Sequence, residues 1–442
     1  MSLCIIELND SEIRVAKGTE IVLRSPGYAV IKNEKLYLGE QALKLAHLNP
    51  RQTYNQFWNK LSQDALQNPA KQYRHHADLA FAHLLSLYEQ AGKPEEILFA
   101  VPGNYTTEQL SLLLGMAEAS PFTAIGLVDS AIASTAAIID SGNYQHIDIH
   151  LHQTVITQLQ VKDEISRQSV EIIDETGLSH IYTACANLIA DLFIQQSRFD
   201  PLHHAETEQA LYDQLPRCLQ SLHENKEVLL EIQFKQNLHQ AKLHRHVLSH
   251  ALQTIYQRIA QHISPSLSCL LSDRMAALPC LSDVLPEYKT LDVDAVFLGC
   301  RQYTQQIRTA GPSLSFITTL PASKNPTVSC TTKIPGQREA PTRPAKTTAT
   351  HVLYEDQAYP IGNTPLYLSG TGAPEMSKGQ TTAGCVMLNN HQPVLTPAGQ
   401  LQTFINGQLL NSKTPVQAGD TMNFRDSSVT YKFISVLDDN GP

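Results

Sequence analysis

Histidine and cysteine are the side chains of this 442-residue chain best suited to metal or nucleophile chemistry, and neither set is spaced for it. His246 and His250 stand four apart, which puts two imidazoles on one face of a predicted helix, with His239 and His244 close by. Two imidazoles alone do not complete a metal site, and a carboxylate or thiolate at a matching place would add to them. None stands there, so a solvated helix face is the expected role and no bound metal is expected. The eight cysteines (Cys4, Cys185, Cys218, Cys269, Cys280, Cys300, Cys330 and Cys385) are scattered singly, without the C-x-x-C pair that zinc sites and redox dithiols use. Most lie among apolar neighbours, as in Leu267-Ser268-Cys269-Leu270-Leu271, and read as small buried hydrophobes of a reducing compartment.

Composition narrows the class. A 42% apolar and 17% charged chain can bury a sizeable core, and its length suggests two to four domains. The longest apolar runs fall far short of the roughly 18 residues of a membrane span. The opening Met1-Ser2-Leu3-Cys4-Ile5-Ile6-Glu7 lacks the basic start of a secretory signal, so a cytoplasmic protein is expected. A net charge of -9 argues against nucleic acid as partner, because phosphate-neutralising surfaces are basic.

The elements divide near residue 320. Residues 321–350 are rich in Pro and Thr, show no apolar period, and carry five basic residues against the single acid Glu339, the pattern of an extended basic linker. Before it, strand and helix signals alternate. Strands are predicted at 4–8 and 97–102, a hairpin at 30–39 turning near Asn33-Glu34, and helices over 77–91, 106–119 and from 130. Residues 147–161 alternate as a long strand or hairpin, 178–262 read as almost wholly helical, and 294–299 as a buried strand. Residues 1–320 are therefore expected to be an α/β domain with a helical insertion. Residues 351–442 show short strands with turns every eight to twelve residues, the mark of a small all-β sandwich.

The wording of the first part resembles the nucleotide-binding region of DnaK-type heat-shock chaperones, within the actin/hexokinase superfamily. Three passages carry the resemblance. Leu36-Tyr37-Leu38-Gly39-Glu40-Gln41-Ala42 with Asn49-Pro50-Arg51-Gln52-Thr53 is one, Phe99-Ala100-Val101-Pro102 leading to Gln109 is another, and Gly126 to Ala137 is the third. The resemblance implies an actin-like ATPase fold with Mg-ATP held between two Gly-rich hairpin turns. Those turns are degenerate. The first reads Glu7-Leu8-Asn9-Asp10-Ser11-Glu12, placing acids where a phosphate would sit, and the second reads Asp148-Ile149-His150-Leu151-His152-Gln153-Thr154, without its three glycines. The adenosine loop keeps only Gly299 of its glycine pair, and the catalytic lysine position falls near Phe57-Trp58, with Lys60 close by. Asp129 stands at the position of the acid that helps place the attacking water, a vestigial catalytic candidate. Ser11, Asp148, Thr154 and Gly299 are the remaining candidates for nucleotide contact. The structural alternative makes Asp129 a helix N-cap and Asp148 a capped strand end.

The last segment resembles forkhead-associated (FHA) domains through Thr403-Phe404-Ile405-Asn406-Gly407 and Ala418-Gly419-Asp420-Thr421-Met422. Phosphothreonine reading by that family requires an arginine where this chain has Asn363, leaving Ser377 and Lys378 as the candidate phosphopeptide contacts. These features together lead to the expectation of a cytoplasmic, non-catalytic adaptor or scaffold in a bacterial-type assembly. It would be a pseudo-ATPase of the chaperone type carrying an FHA-like module, without cofactor and with protein partners. The alternatives are a divergent, active Mg-ATP-dependent chaperone-like ATPase and a phosphopeptide-binding adaptor.

Overall fold

A computed structural model describes residues 3–136, 140–285, 287–309, 314–322 and 331–333. It also describes 349–435 except positions 356, 371, 378, 380–381, 390–391, 398–401, 406–407, 411–412, 425–426 and 428. The chain is mixed α/β with several sheets. It divides into two compact units, Met1–Arg338 and Glu339–Pro442.

The first unit builds one pattern twice. Cys4–Glu7, Ile13–Lys17 and Glu20–Ser25 form an antiparallel meander, and Glu96–Val101, Thr123–Asp129 and Phe316–Ile317 extend the sheet in parallel from the other side of Cys4–Glu7. In the second sheet Gly142–Ile149, Gln153–Val161 and Glu164–Asp174 form the meander, and Ser268–Leu271 and Tyr288–Thr290 add in parallel beside Gly142–Ile149. We call the material around each sheet a lobe. The central strands of the first sheet are buried on both faces, which explains why they read as unbroken apolar runs. Ile6 and Phe99 face helices His76–Gln90 and Thr107–Glu118, while Ile5, Leu98 and Ala100 face the second lobe. Between the sheets a shared core includes Leu159, Ile165 and Leu270, with Ala133 from helix Ser130–Ala136 and Phe297 and Cys300 from helix Ala295–Gln302.

Local signals explain several boundaries. Helix Thr107–Glu118 starts at a capping box, in which the Gln109 amide donates to Thr106 Oγ1 (3.3 Å) and the Thr106 amide to Gln109 Oε1 (2.9 Å). The hairpin Ala29–Lys32/Lys35–Leu38 turns at Asn33 and Glu34, both at positive φ (51° and 62°), the geometry of a two-residue hairpin turn.

Two expectations are corrected. Residues 178–262 are not all helical: between helices Ala205–Glu224 and Arg245–Ala260 lies the hairpin Glu227–Phe234/Asn237–His244, whose Leu230, Ile232, Ala241 and Leu243 pack into the second lobe's core. Residues 294–299, read as a buried strand from their short apolar run, instead lead into helix Ala295–Gln302. Gly299 lies in it, against the backbone of Ala133, where an added Cβ would fall 1.8 Å from the carbonyl oxygen.

Among the described residues Cys4, Cys185, Cys218, Cys269, Cys280 and Cys300 are free thiols and are buried, and Cys385 is half-buried. Burial pushes Cys4 and Cys218 up to about 11 and Cys269 to about 12, and raises Cys185 and Cys300 further. No helix among the described residues is long and apolar enough to cross a membrane.

The second unit holds two antiparallel sheets around one core. Val352, Met422, Tyr431 and Phe433 come from one sheet, and Leu366, Leu368, Val386 and Leu395 from the other. The Tyr431 hydroxyl donates to the Ser369 carbonyl (2.9 Å) and accepts from the Ser369 amide (3.2 Å), tying the sheets together.

Candidate functional site

The duplicated build brings the two meander turns, residues 8–12 and 150–152, face to face. They bond directly to each other. Asn9 Nδ2 donates to Asp148 Oδ2 (2.9 Å) and to the Ile149 carbonyl (3.0 Å), and the Leu151 amide donates to Asp10 Oδ1 (2.8 Å). His150 Nδ1 lies 3.4 Å from Asp10 Oδ1. Ser11 Oγ donates to Asn9 Oδ1 (2.7 Å) and reaches the Ile149 carbonyl (3.3 Å).

The amides that an anion would need are occupied by the protein itself. The Ser11 amide donates to Asn9 Oδ1, the Glu12 amide to the Asn9 carbonyl, and the His150 amide to the Gln153 carbonyl. At the start of helix Leu178–Ser197, the Leu178 and Ser179 amides donate to the carbonyls of His150 and Leu151, both at 2.9 Å. The tight approach depends on Gly177, where a Cβ would fall 2.3 Å from the Gln153 amide nitrogen.

The acids beside the turns are not bare. Arg274 spans Glu7 with two bonds (3.0 and 2.9 Å) and reaches Asp148 (3.3 Å). Arg14 spans Asp273 with two bonds (2.9 and 2.8 Å) and contacts Glu12, which also pairs with Arg24. Burial alone would raise Asp148, but Arg274, with His150 and His146, holds its carboxyl well below the usual range. Burial presses His146 down to about 4, so that imidazole is neutral near pH 7. A small, partly open pocket beside the turns, lined by Glu7, Arg14, Ser130, Ser134, His146 and Asp148 among others, has a volume of about 20 Å³, the room of about one water.

The other sequence-predicted residues are placed as follows. Asp129 is wholly buried. Its Oδ1 caps helix Ser130–Ala136 through the Ala131 amide (2.9 Å), and its Oδ2 accepts from Arg167 Nη1 (2.7 Å). Burial raises its pKa against the pull of Arg167. Thr154 is buried at the base of the second meander and bonds to Thr176, by its hydroxyl (2.9 Å) and to its carbonyl (3.2 Å). Gly299 serves the helix–helix contact described above rather than a loop. Phe57 and Trp58 are core residues. Trp58 Nε1 donates to Nδ1 of the buried His83 (3.1 Å), so the His83 proton sits on Nε2, facing Ser25 Oγ at 2.8 Å. Lys60 is exposed. The structure thus gathers Ser11 and Asp148 at one place and leaves Asp129, Thr154 and Gly299 elsewhere.

His246 and His250 are exposed on their helix, His239 stacks on Phe199 and His244 pairs with Glu227. Among the described residues no group of three His, Cys, Asp or Glu is placed to hold a metal ion. In the second unit Asn363 and Ser377 are exposed, and Lys378 lies outside the described residues.

The residues that sequence reasoning missed are Arg14, Arg167, Asp273 and Arg274. Apart from Glu12 beside Arg14, the partners named above lie 38 to 267 positions away, and no motif announces a pairing of that kind. No protein-family model and no curated protein matches the chain.

Proposed function

We propose that the chain is a non-catalytic adaptor or scaffold protein. In this reading residues 1–320 are a pseudo-ATPase of the actin/heat-shock-chaperone type, residues 321–350 are a linker that falls largely outside the described residues, and residues 351–442 are an FHA-like module that binds protein. The twice-built sheet order with two facing hairpin turns supports the first assignment, and the two-sheet core of the second unit supports the other. One observation carries the loss of catalysis: the two turns bond directly to each other, Asn9 to the Ile149 carbonyl and the Leu151 amide to Asp10, so groups that would face a phosphate are engaged by the protein itself. In-line phosphoryl transfer is mainly positioning and charge stabilisation, so a cradle closed on itself has no catalytic part to play. The neutral, exposed Asn363 favours phosphate-independent partner binding over phosphopeptide reading.

Thermal unfolding with and without 10 mM Mg-ATP tests the reading. A dissociation constant of about 100 μM would add about 2.7 kcal/mol and move the transition by several degrees. The expected shift is below about 1 °C, and a saturable shift or measurable ATP turnover would overturn the assignment.

A further inference from the structure

The arginine–carboxylate pairs beside the turns are arranged across the lobes in a particular way. Glu7 and Arg14 are directly opposite each other in the register of strands Cys4–Glu7 and Ile13–Lys17, so both side chains leave the same face of the first sheet. Asp273 and Arg274 are adjacent at the start of the short helix Asp273–Ala276, which follows the second sheet's strand Ser268–Leu271 and is capped by Ser272. Each lobe therefore presents one negative and one positive side chain, and the two sets meet crosswise, Arg14 with Asp273 and Arg274 with Glu7. Both guanidiniums engage two oxygens, the geometry that gives the strongest and most directional ion pairs. Three of the four side chains are under 10% exposed, and Asp273 is 28% exposed, so solvent screens them little.

We propose that these crossed pairs are a clasp that holds the two lobes shut, so that closure is set by the chain itself and not by a ligand in the cleft. The clasp deepens the pseudo-ATPase reading and rests on it for its meaning. A cleft fastened this way presents one arrangement of the two lobes to a partner. Each arginine also has a partner within its own lobe, Glu12 for Arg14 and Asp148 for Arg274. Neutralising the cross-lobe acids therefore leaves both guanidiniums paired.

The test is hydrogen exchange on the full chain. In Glu7→Gln/Asp273→Asn, amides of residues 8–12 and 150–152 are expected to exchange about tenfold faster than in the unmodified protein, with strand Glu96–Val101 unchanged. If the double variant folds and its turns exchange as before, the clasp is refuted. If it does not fold, Arg274→Lys decides. That change keeps the charge but loses the fork, so faster exchange confined to the turns supports the clasp and unchanged exchange overturns it. Slowed exchange of the turns when Mg-ATP is added to the unmodified protein would count against the pseudo-ATPase reading alone, because the variants judge the clasp without nucleotide.

Discussion

Gly299→Ala sets two known effects against each other. Gly299 lies within helix Ala295–Gln302, where alanine is favoured over glycine by about 0.8–1.0 kcal/mol. The new Cβ, however, would stand 1.8 Å from the Ala133 carbonyl oxygen and 2.7 Å from its carbon, where ordinary contact begins at 3.4 Å. Both obstructing atoms are backbone, so no side chain can turn aside. The helices must separate by more than an ångström and loosen the core around Ile132, Ala133, Phe297 and Cys300. Overpacking costs typically about 1–3 kcal/mol, and this contact belongs at or above the upper end. After the propensity gain, a net loss of about 2 kcal/mol is expected. Trp58, the one tryptophan, lies in the first unit, so its emission in urea follows that unit alone. The midpoint should fall by about 0.5–1 M. Gly115→Ala is the control: Gly115 is exposed in helix Thr107–Glu118 with nothing within 4 Å of its Cβ position, and its midpoint should rise. If Gly299→Ala rises as well, the close-packing argument is wrong.

Two further outcomes are expected. Burial holds His83 near 3 and His146 near 4, so as pH falls below about 6.5 the unfolded chain takes up protons that the folded chain refuses; stability is complete above that pH and lost below it. Urea midpoints of the first unit should therefore fall from pH 7 to pH 5, and His83→Gln should lower the slope below pH 6.5 by about 1.4 kcal/mol per pH unit. Arg167→Met strands the buried Asp129 carboxylate and should cost about 3–5 kcal/mol in the same urea assay. Adding Asp129→Asn should recover much of that loss, and a full-cost double variant would show that the pair is not the cause.

Much of the frame was legible in the sequence because its signals are local. The capping box at Thr106 and Gln109, the turn at Asn33-Glu34 and the apolar run from Ile97 to Val101 each depend on residues within a few positions. The failures have equally particular reasons. In the hairpin 227–244, the exposed Leu229 and Leu238 on the outer face and His239 on the inner one broke the two-residue alternation that buries Leu230, Ile232, Ala241 and Leu243. In Val296-Phe297-Leu298-Gly299 the apolar run is too short to separate a buried strand from a buried helix. At the site, the acids Glu7, Asp10 and Glu12 were visible, but not their partners. Arg274 meets Glu7 across 267 positions, and only the facing of two separately built sheets brings them together.

The buried thiols give this chain a way to record its own openings. A thiol raised to about 11 or 12 is almost entirely protonated at pH 7.5, and alkylating reagents attack the thiolate. Modification must therefore wait for a transient exposure, and its rate counts those events. The sulfurs are distributed usefully: Cys4 packs on the outer side of the first sheet, Cys300 lies between the sheets, and Cys185, Cys218 and Cys280 lie within the second lobe. Peptide mapping after timed alkylation would resolve which layer loosens first, without introducing a label. Cys385 sits half-buried in the other unit and gives a separate clock for it.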